Sequence, residues 1–394
     1  MTRDLAEPSD ALLERAFLDE AVIEAGWRAP GAVAPDGVAL ETGDPHASLR
    51  AMVRLLGERG VLALVLNAAD GGRFDAVQWR AVCLARERLG HASPLLELAF
   101  AMQGLGSYAI SQFGDADQRA RWLPRVLSGE AVAGFALTEP GAGSDLAGLA
   151  TTAERDGDDY VLRGRKVLIS NAPIGDVFTL FAATAPAGER RRVSAFVVPG
   201  DAAGLERTST PVLGGHPIGE LRLDGVRVPA ADRLGEEGDG MRVALGTLHR
   251  FRPTVGAAAL GFGQRALDET LAHVSRRAQF GGPLAEQQAV QMSIADMACD
   301  LEAARLLVYK CAAQSDRGDA GRDLEAKAGS MAKLMATEAA FRVIDRAVQL
   351  HGGRGVLQES VVARLYEDVR ALRIYEGASD IQKVLIARHL LKGV

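Results

Sequence analysis

The chain has 394 residues, 48% of them hydrophobic, and its 45 basic and 51 acidic residues leave a formal charge of −6. That length and apolar content allow two or three domains with sizeable cores, while the intermixed charge lacks the basic tail or stripe of a nucleic-acid-binding protein. Cys83, Cys299 and Cys311 form neither an even disulfide set nor a metal-ligand spacing, and no apolar run reaches membrane-spanning length, so a cytoplasmic protein without metal is expected.

Asp10 to Gly26 carries helical apolar spacing at Leu13, Phe17 and Ala21 and ends on a glycine. Ala29 to Pro45, rich in Gly, Pro and Asp, reads as a loop, and Ala47 to Arg59 as a second helix. Beyond a turn at Asn67 to Gly72, Asp75 is placed to cap a helix ending at Gly90. Ser93-Pro94 then supplies a cap and an N1 proline for a helix reaching Phe113-Gly114, and Asp117 to Leu127 adds another. The period changes at Ala131. Ala131 to Leu137, Tyr160 to Ser170, Val177 to Thr184, Val193 to Val198 and Leu221 to Val228 read as strands, a spacing that favours a sandwich or barrel. The basic run Arg190-Arg191-Arg192 between two of them reads as a solvated loop. Helices return after Gly238, at about 241–276, 285–316, 323–350 and 380–391. In the second of these, Val290, Ile294, Met297, Leu301, Ala304, Val308 and Cys311 step by four and three as a packing seam. The expected fold is α+β and multidomain: a helical domain over 1–131, a small β domain over 132–237 and a helical bundle over 238–394.

Chemistry concentrates in a few stretches. Thr138-Glu139-Pro140-Gly141-Ala142-Gly143-Ser144-Asp145 follows the first strand, and its glycines and hydroxyls suit a phosphate-bearing ligand, or form only a turn between strands. Arg277-Ala278-Gln279-Phe280-Gly281 and Gln349-Leu350-His351-Gly352-Gly353-Arg354-Gly355 each end a helix. In the last stretch, Glu376 stands behind the apolar run Ala371 to Tyr375 and before Gly377-Ala378, while Ser379 and Gln382 have the spacing of a capping box. Desolvation there is expected to raise the carboxyl pKa and strengthen Glu376 as a base.

In order and spacing, Thr138 to Asp145, Lys166 to Asn171, Arg277 to Gly281, Gln349 to Gly355 and Tyr375 to Gln382 resemble the acyl-CoA dehydrogenase family of FAD enzymes, from about Asp75 to the C-terminus. The resemblance implies a helical domain, a β barrel and a four-helix bundle, assembled as a homodimer or homotetramer. It places FAD against Phe135, Leu137, Thr138, Gly143, Ser144, Leu168 and Ser170, with Arg277, Phe280, Gln349, Gly352 and Gly353 gripping the adenosine half of a neighbouring subunit's cofactor. It assigns Glu376 as catalytic base and Ser144, His249, Phe251, Arg252, Tyr375 and Gly377 to the substrate. Leu168 stands where many members have a tryptophan, His249 where an aspartate is common, and Phe251 where some relatives carry an alternative glutamate base. The implied reaction is α,β-dehydrogenation of an acyl-CoA or acyl-carrier-protein thioester, with electrons leaving to an electron-transferring flavoprotein. A flavin monooxygenase or oxidase on the same scaffold, or a non-catalytic flavin-binding scaffold, is the alternative.

Overall fold

The computed structural model describes residues 17–189, 191–318 and 322–392. Leu13 in the first expected helix and Arg190 in the basic run lie outside the described residues. Helix α1 (Glu20–Ile23) is capped by Asp19, whose carboxylate accepts a hydrogen bond from Val22 N at 3.0 Å. Gly26 does not stop the helix. A π-helical turn (Glu24–Arg28) leads on into α2 (Ala29–Ala39), replacing the expected loop despite Pro35 within it. Packing explains the difference: Gly26 lies so close to a later helix that a Cβ would stand 2.6 Å from Ala81 O, and Val33 and Ala34 are buried. Tertiary burial outweighs the poor helix propensity of this Gly- and Pro-rich run, and the π turn absorbs the local misfit.

Helix α3 (Pro45–Glu58) is capped by Asp44. Helix α4 (Trp79–Ala92) is not capped by Asp75. The carboxylate of Asp316, distant in sequence, accepts from Trp79 N and Arg80 N instead and pairs with the Arg80 side chain. Ser93 does cap α5 (Pro94–Phe113), accepting from Leu96 N at 3.2 Å. Asp115 and Gln118 form a full capping box on α6 (Ala116–Leu127).

Eight strands form one sheet: β1 (Ala133–Ala136), β2 (Thr152–Asp156), β3 (Asp159–Ser170), β4 (Val177–Ala183), β5 (Val193–Pro199), β6 (Leu205–Ser209), β7 (Ile218–Pro229) and β8 (Arg233–Leu234). Their order is β6-β7-β3-β2-β4-β5-β8, with β1 pairing parallel to β4. Leu221, Leu223, Val226 and Val228 face the core with Tyr160, Leu162, Phe178 and Phe196, while Arg222, Asp224 and Arg227 face out. That alternation slips by one residue at Gly225, where the register against β3 also shifts. The short strands β2, β6 and β8 were not expected; the first two carry mostly exposed polar residues and so lack an apolar signature.

The chain returns to helix in α7 (Gly240–Arg276), α8 (Gln288–Arg317), α9 (Arg322–His351), α10 (Val361–Leu372) and α11 (Ser379–Leu390). Helix α9 packs against α8, α10 and α11, and α4 packs against α8. On α8 the expected seam is buried from Met297 through Leu301, Ala304 and Val308 to Cys311, with Val290 and Ile294 only half-buried. A two-residue turn, Phe280-Gly281, joins the small hairpin β9 (Ala278–Gln279) and β10 (Gly282–Pro283). The chain divides into two compact units. One takes Met1–Pro35 (from residue 17 on), Gln78–Glu97 and His249–Val394; the other takes Asp36–Val77 and Leu98–Leu248.

Candidate active site

In the first unit the segment between α10 and α11 presents Glu376 from a strained turn. Glu376 has φ +52° and Gly377 has φ +95°, two successive residues in the left-handed region. A glutamate there is uncommon, and such strain persists only where the surroundings over-determine it. The surroundings are specific. Gly377 O accepts from both Gln382 Nε2 and Lys333 Nζ, each at 2.8 Å, and a Cβ on Gly377 would stand 2.3 Å from that same Gln382 Nε2. The capping box expected from Ser379 and Gln382 does not form. Ala378 is the N-cap, Ser379 Oγ donates to Glu338 Oε1 at 2.6 Å, and Gln382 turns back to hold the preceding turn. Ser379 found a distant partner and Gln382 the carbonyl of the preceding turn, in place of each other's backbone.

The carboxyl of Glu376 is ringed by charge. Its Oε2 is buried with no hydrogen-bond partner, as are Nε and Nη1 of Arg252. Burial raises the Glu376 pKa, opposed by the positive charges of Arg86, Lys333 and Arg252. Arg86 is itself buried, ion-paired to Glu97 and donating to Thr254 Oγ1 at 2.7 Å. Burial pushes the neighbouring Tyr375 hydroxyl upward too, keeping it a neutral donor. His249 is half-buried, and desolvation with the nearby Arg252 holds its imidazole at about 4, hence neutral. Phe251 is 1% exposed and meets Trp79 edge-on with ring centroids 5.3 Å apart, so it is a core side chain. Arg86, Glu97 and Lys333 were missed in the sequence. Their signal was a charged residue at the buried register of an amphipathic helix, as in Ser330, Lys333 and Thr337, spaced three and four apart and all fully buried.

Elsewhere in this unit, the hairpin turn carries Phe280 at φ +55° with 93% of its surface exposed, beside exposed Arg277. Gln349, Gly352 and Gly353 are exposed at the end of α9, and a Cβ on either glycine would meet nothing within 4 Å.

The second unit holds the glycine-rich loop after β1. Phe135 and Leu137 are buried, Thr138 is half-buried, and Gly143 and Ser144 are exposed. Beneath the loop Glu139 is locked in place: it accepts from Lys166 Nζ at 2.7 Å, from Ala150 N at 2.6 Å and from Thr151 N at 3.2 Å. Lys166 also donates to Leu137 O at 3.1 Å, and burial lowers its pKa to about 8 against the pull of Glu139. Just past Lys166 the register between β3 and β7 skips, and Leu168 is thrown out at φ +55° with 57% exposure. Ser170, two residues on, contacts His216 Nε2 through Oγ at 3.0 Å, and burial lowers the His216 pKa to about 4. A bulge that presents a bare leucine beside a hydroxyl and a loop of uncovered backbone suits a flat apolar ring system with polar edges and phosphates. In this respect the residues fit a flavin dinucleotide.

Domain signatures of acyl-CoA dehydrogenases match the chain over residues 32–130 (N-terminal domain), 134–226 (middle domain) and 238–391 (C-terminal domain). The likeness therefore begins well before Asp75. The cyclohexane-1-carbonyl-CoA dehydrogenase of Geobacter metallireducens is 38% identical over 344 residues, 86% of this chain and 89% of its own. Among solved structures, a glutaryl-coenzyme A dehydrogenase in complex with glutaryl-CoA aligns with a TM-score of 0.88 at 33% identity, covering 95% of this chain and 96% of that one. A glutaryl-CoA dehydrogenase from Mycobacterium smegmatis in complex with FADH2 aligns at 0.86 and 26% identity over 98% of each chain. The chain belongs to the acyl-CoA dehydrogenase family, and its helical, mixed-sheet and helical segments follow that family's three domains. It is an oxidoreductase.

Proposed function

We propose that the protein is an FAD-dependent acyl-CoA dehydrogenase that converts an acyl-CoA to its 2-enoyl-CoA, with Glu376 as the base. One observation carries the assignment of the base: a carboxyl oxygen buried without a hydrogen-bond partner, on a residue held in a strained turn by two neighbouring helices. Such an oxygen is free to take a proton, and burial has raised its affinity for one. FAD, when bound, supplies the acceptor for the β-hydrogen as hydride. Glu376 removes the α-proton, and its own backbone N–H would donate to the thioester carbonyl, where charge develops. Tyr375 and Gly377 flank the reacting carbons, and Arg252, with two unpartnered buried donors, and neutral His249 would meet the polar part of the thioester.

In the second unit, Phe135, Leu137, Thr138, Gly143, Ser144, Leu168 and Ser170 would hold the flavin and its pyrophosphate, and Ser144 would also approach the substrate. In the first, exposed Arg277, Phe280, Gln349, Gly352 and Gly353 would serve the adenosine half of the FAD of a neighbouring copy in a homodimer or homotetramer. An electron-transferring flavoprotein would take the electrons, and the cytoplasm is the proposed site of action. No helix among the described residues is long and apolar enough to cross a membrane. The domain limits proposed are 1–131, 132–237 and 238–394. An oxidase, a monooxygenase or a non-catalytic scaffold is not favoured, because the relatives named above are dehydrogenases.

The test is Glu376→Gln, which keeps size but cannot take a proton. The variant should bind FAD with a normal spectrum, and anaerobic flavin reduction by an acyl-CoA should fall by at least about 10²-fold, the usual range for a positioned base. Reduction at close to wild-type speed would remove Glu376 from the role.

A further inference from the structure

Lys333 is one of three buried cations around Glu376, with Arg86 and Arg252. It lies on the inward face of α9, wholly buried, and its ammonium reaches Gly377 O at 2.8 Å. Burying an ammonium is costly unless it is paired, and here desolvation lowers the lysine to about 8. Two carboxylates act on it, Glu376 and Glu338. Glu338 is already engaged by Arg373 at 2.8 Å and by Ser379 Oγ at 2.6 Å. The carboxylate left for Lys333 is Glu376, whose neighbour supplies the carbonyl that Lys333 grips.

The charged groups acting most on Glu376 come from four helices. Arg86 on α4 is ion-paired to Glu97 on α5, which itself opposes ionisation of Glu376. Arg252 on α7 and Lys333 on α9 are the other two cations acting on it most strongly. Only Lys333 is also bonded to the turn that carries the base. Resting on the reading of Glu376 as base, we infer that Lys333 is a positioning residue for α-proton removal: its ammonium fixes the left-handed Glu376-Gly377 turn through Gly377 O and sets a positive charge beside the base that favours its carboxylate form.

The alternative is a staple, a lysine that ties α9 to the turn and has no say in the protonation of Glu376. The two differ in what happens when charge is removed and a donor kept. Lys333→Gln does that; Lys333→Met removes both while keeping the length of the chain; Lys333→Arg keeps charge. On FAD-loaded enzyme, anaerobic flavin reduction by the acyl-CoA that reduces wild type fastest is followed from about pH 5.5 to about pH 9. Neutral variants should shift the acid limb of the rate upward by about one pH unit or more, the usual effect of losing one close opposite charge. Lys333→Arg should leave the limb near its wild-type position. A second readout needs no turnover: the carboxyl C=O infrared band that Glu376→Gln removes is titrated without substrate, and in the neutral variants it should persist to higher pH by the same amount.

An acid limb and a carboxyl band that both stay at the wild-type position in Lys333→Gln would overturn the inference and leave the staple. Should the glutamine variant not fold, the same two measurements on Lys333→Met decide it. The reading of Glu376 fails separately. If Glu376→Gln reduces its flavin at wild-type speed, Glu376 is not the base, yet the infrared titration still reports whether Lys333 sets its protonation.

Discussion

Gly377→Ala is the most direct probe of the turn that carries the base. At φ +95° an L side chain is strained, and the added Cβ would stand 2.3 Å from Gln382 Nε2. The backbone term costs about 1–2 kcal/mol for leaving the favoured regions. Gln382 has no room to step aside, being fully buried, so it must surrender its 2.8 Å bond to Gly377 O. Losing that bond adds about 1 kcal/mol. The total of about 2–3 kcal/mol corresponds to a fall of about 2–4 °C in Tm for a chain of 394 residues, at about 2.1 cal/mol/K of unfolding entropy per residue. The same relaxation moves the Glu376 carboxyl, and a misplacement of about 1 Å is worth about 10²-fold in rate. Calorimetry and anaerobic stopped-flow reduction measure the two effects on one preparation, with FAD content as the control. A variant with an unchanged Tm and a wild-type reduction rate would show that the turn neither needs glycine nor positions the base.

Two further outcomes are expected. Phe251→Ala should cost about 3–5 kcal/mol in denaturant unfolding, because it opens a cavity against Trp79; an unchanged unfolding midpoint would mean that Phe251 lines open space and not core. On acidification, His216 and His249 should destabilise the fold, since both are held at about 4, below the ordinary 6.5. A depressed folded-state pKa means the unfolded chain takes up protons first, so Tm should fall progressively from about pH 6.5 towards pH 4. His216→Asn should shallow that fall, and a slope identical to wild type would place the proton uptake elsewhere.

The desolvation of Glu376 was legible locally, behind an apolar run and before a glycine, whereas its assignment as the base came from the family resemblance and not from its place alone. The buried register of α8 was likewise legible, three-and-four spacing being a local pattern. Where partners came from afar, local pattern misled. Asp75 looked like the cap of α4, but Asp316 takes that position; Ser379 and Gln382 had the spacing of a capping box, but Ser379 bonds the distant Glu338, leaving Gln382 to hold the nearby Gly377 carbonyl. Helix α2 hid behind a composition of Gly, Pro and Asp because its stability comes from packing. The outward turn of Leu168 depends on a register skip between β3 and β7, which no single strand records. Lys333 went unnoticed because a lysine in a helix is ordinarily solvated, and its burial is a property of the helices around α9.

The segment from Arg373 to Gln382 is tied to α9 at three points: Arg373 and Ser379 to Glu338, and Gly377 to Lys333. The base is thus borne less by its own loop than by a neighbouring helix, and its order in time is the order of that docking. If α9 and α11 part for a moment, the carboxylate is lost from its position while most of the chain remains folded. Loss of chemistry on warming would then precede loss of structure, and changes along the buried stripe of α9 would be felt first as slower turnover and only later as unfolding.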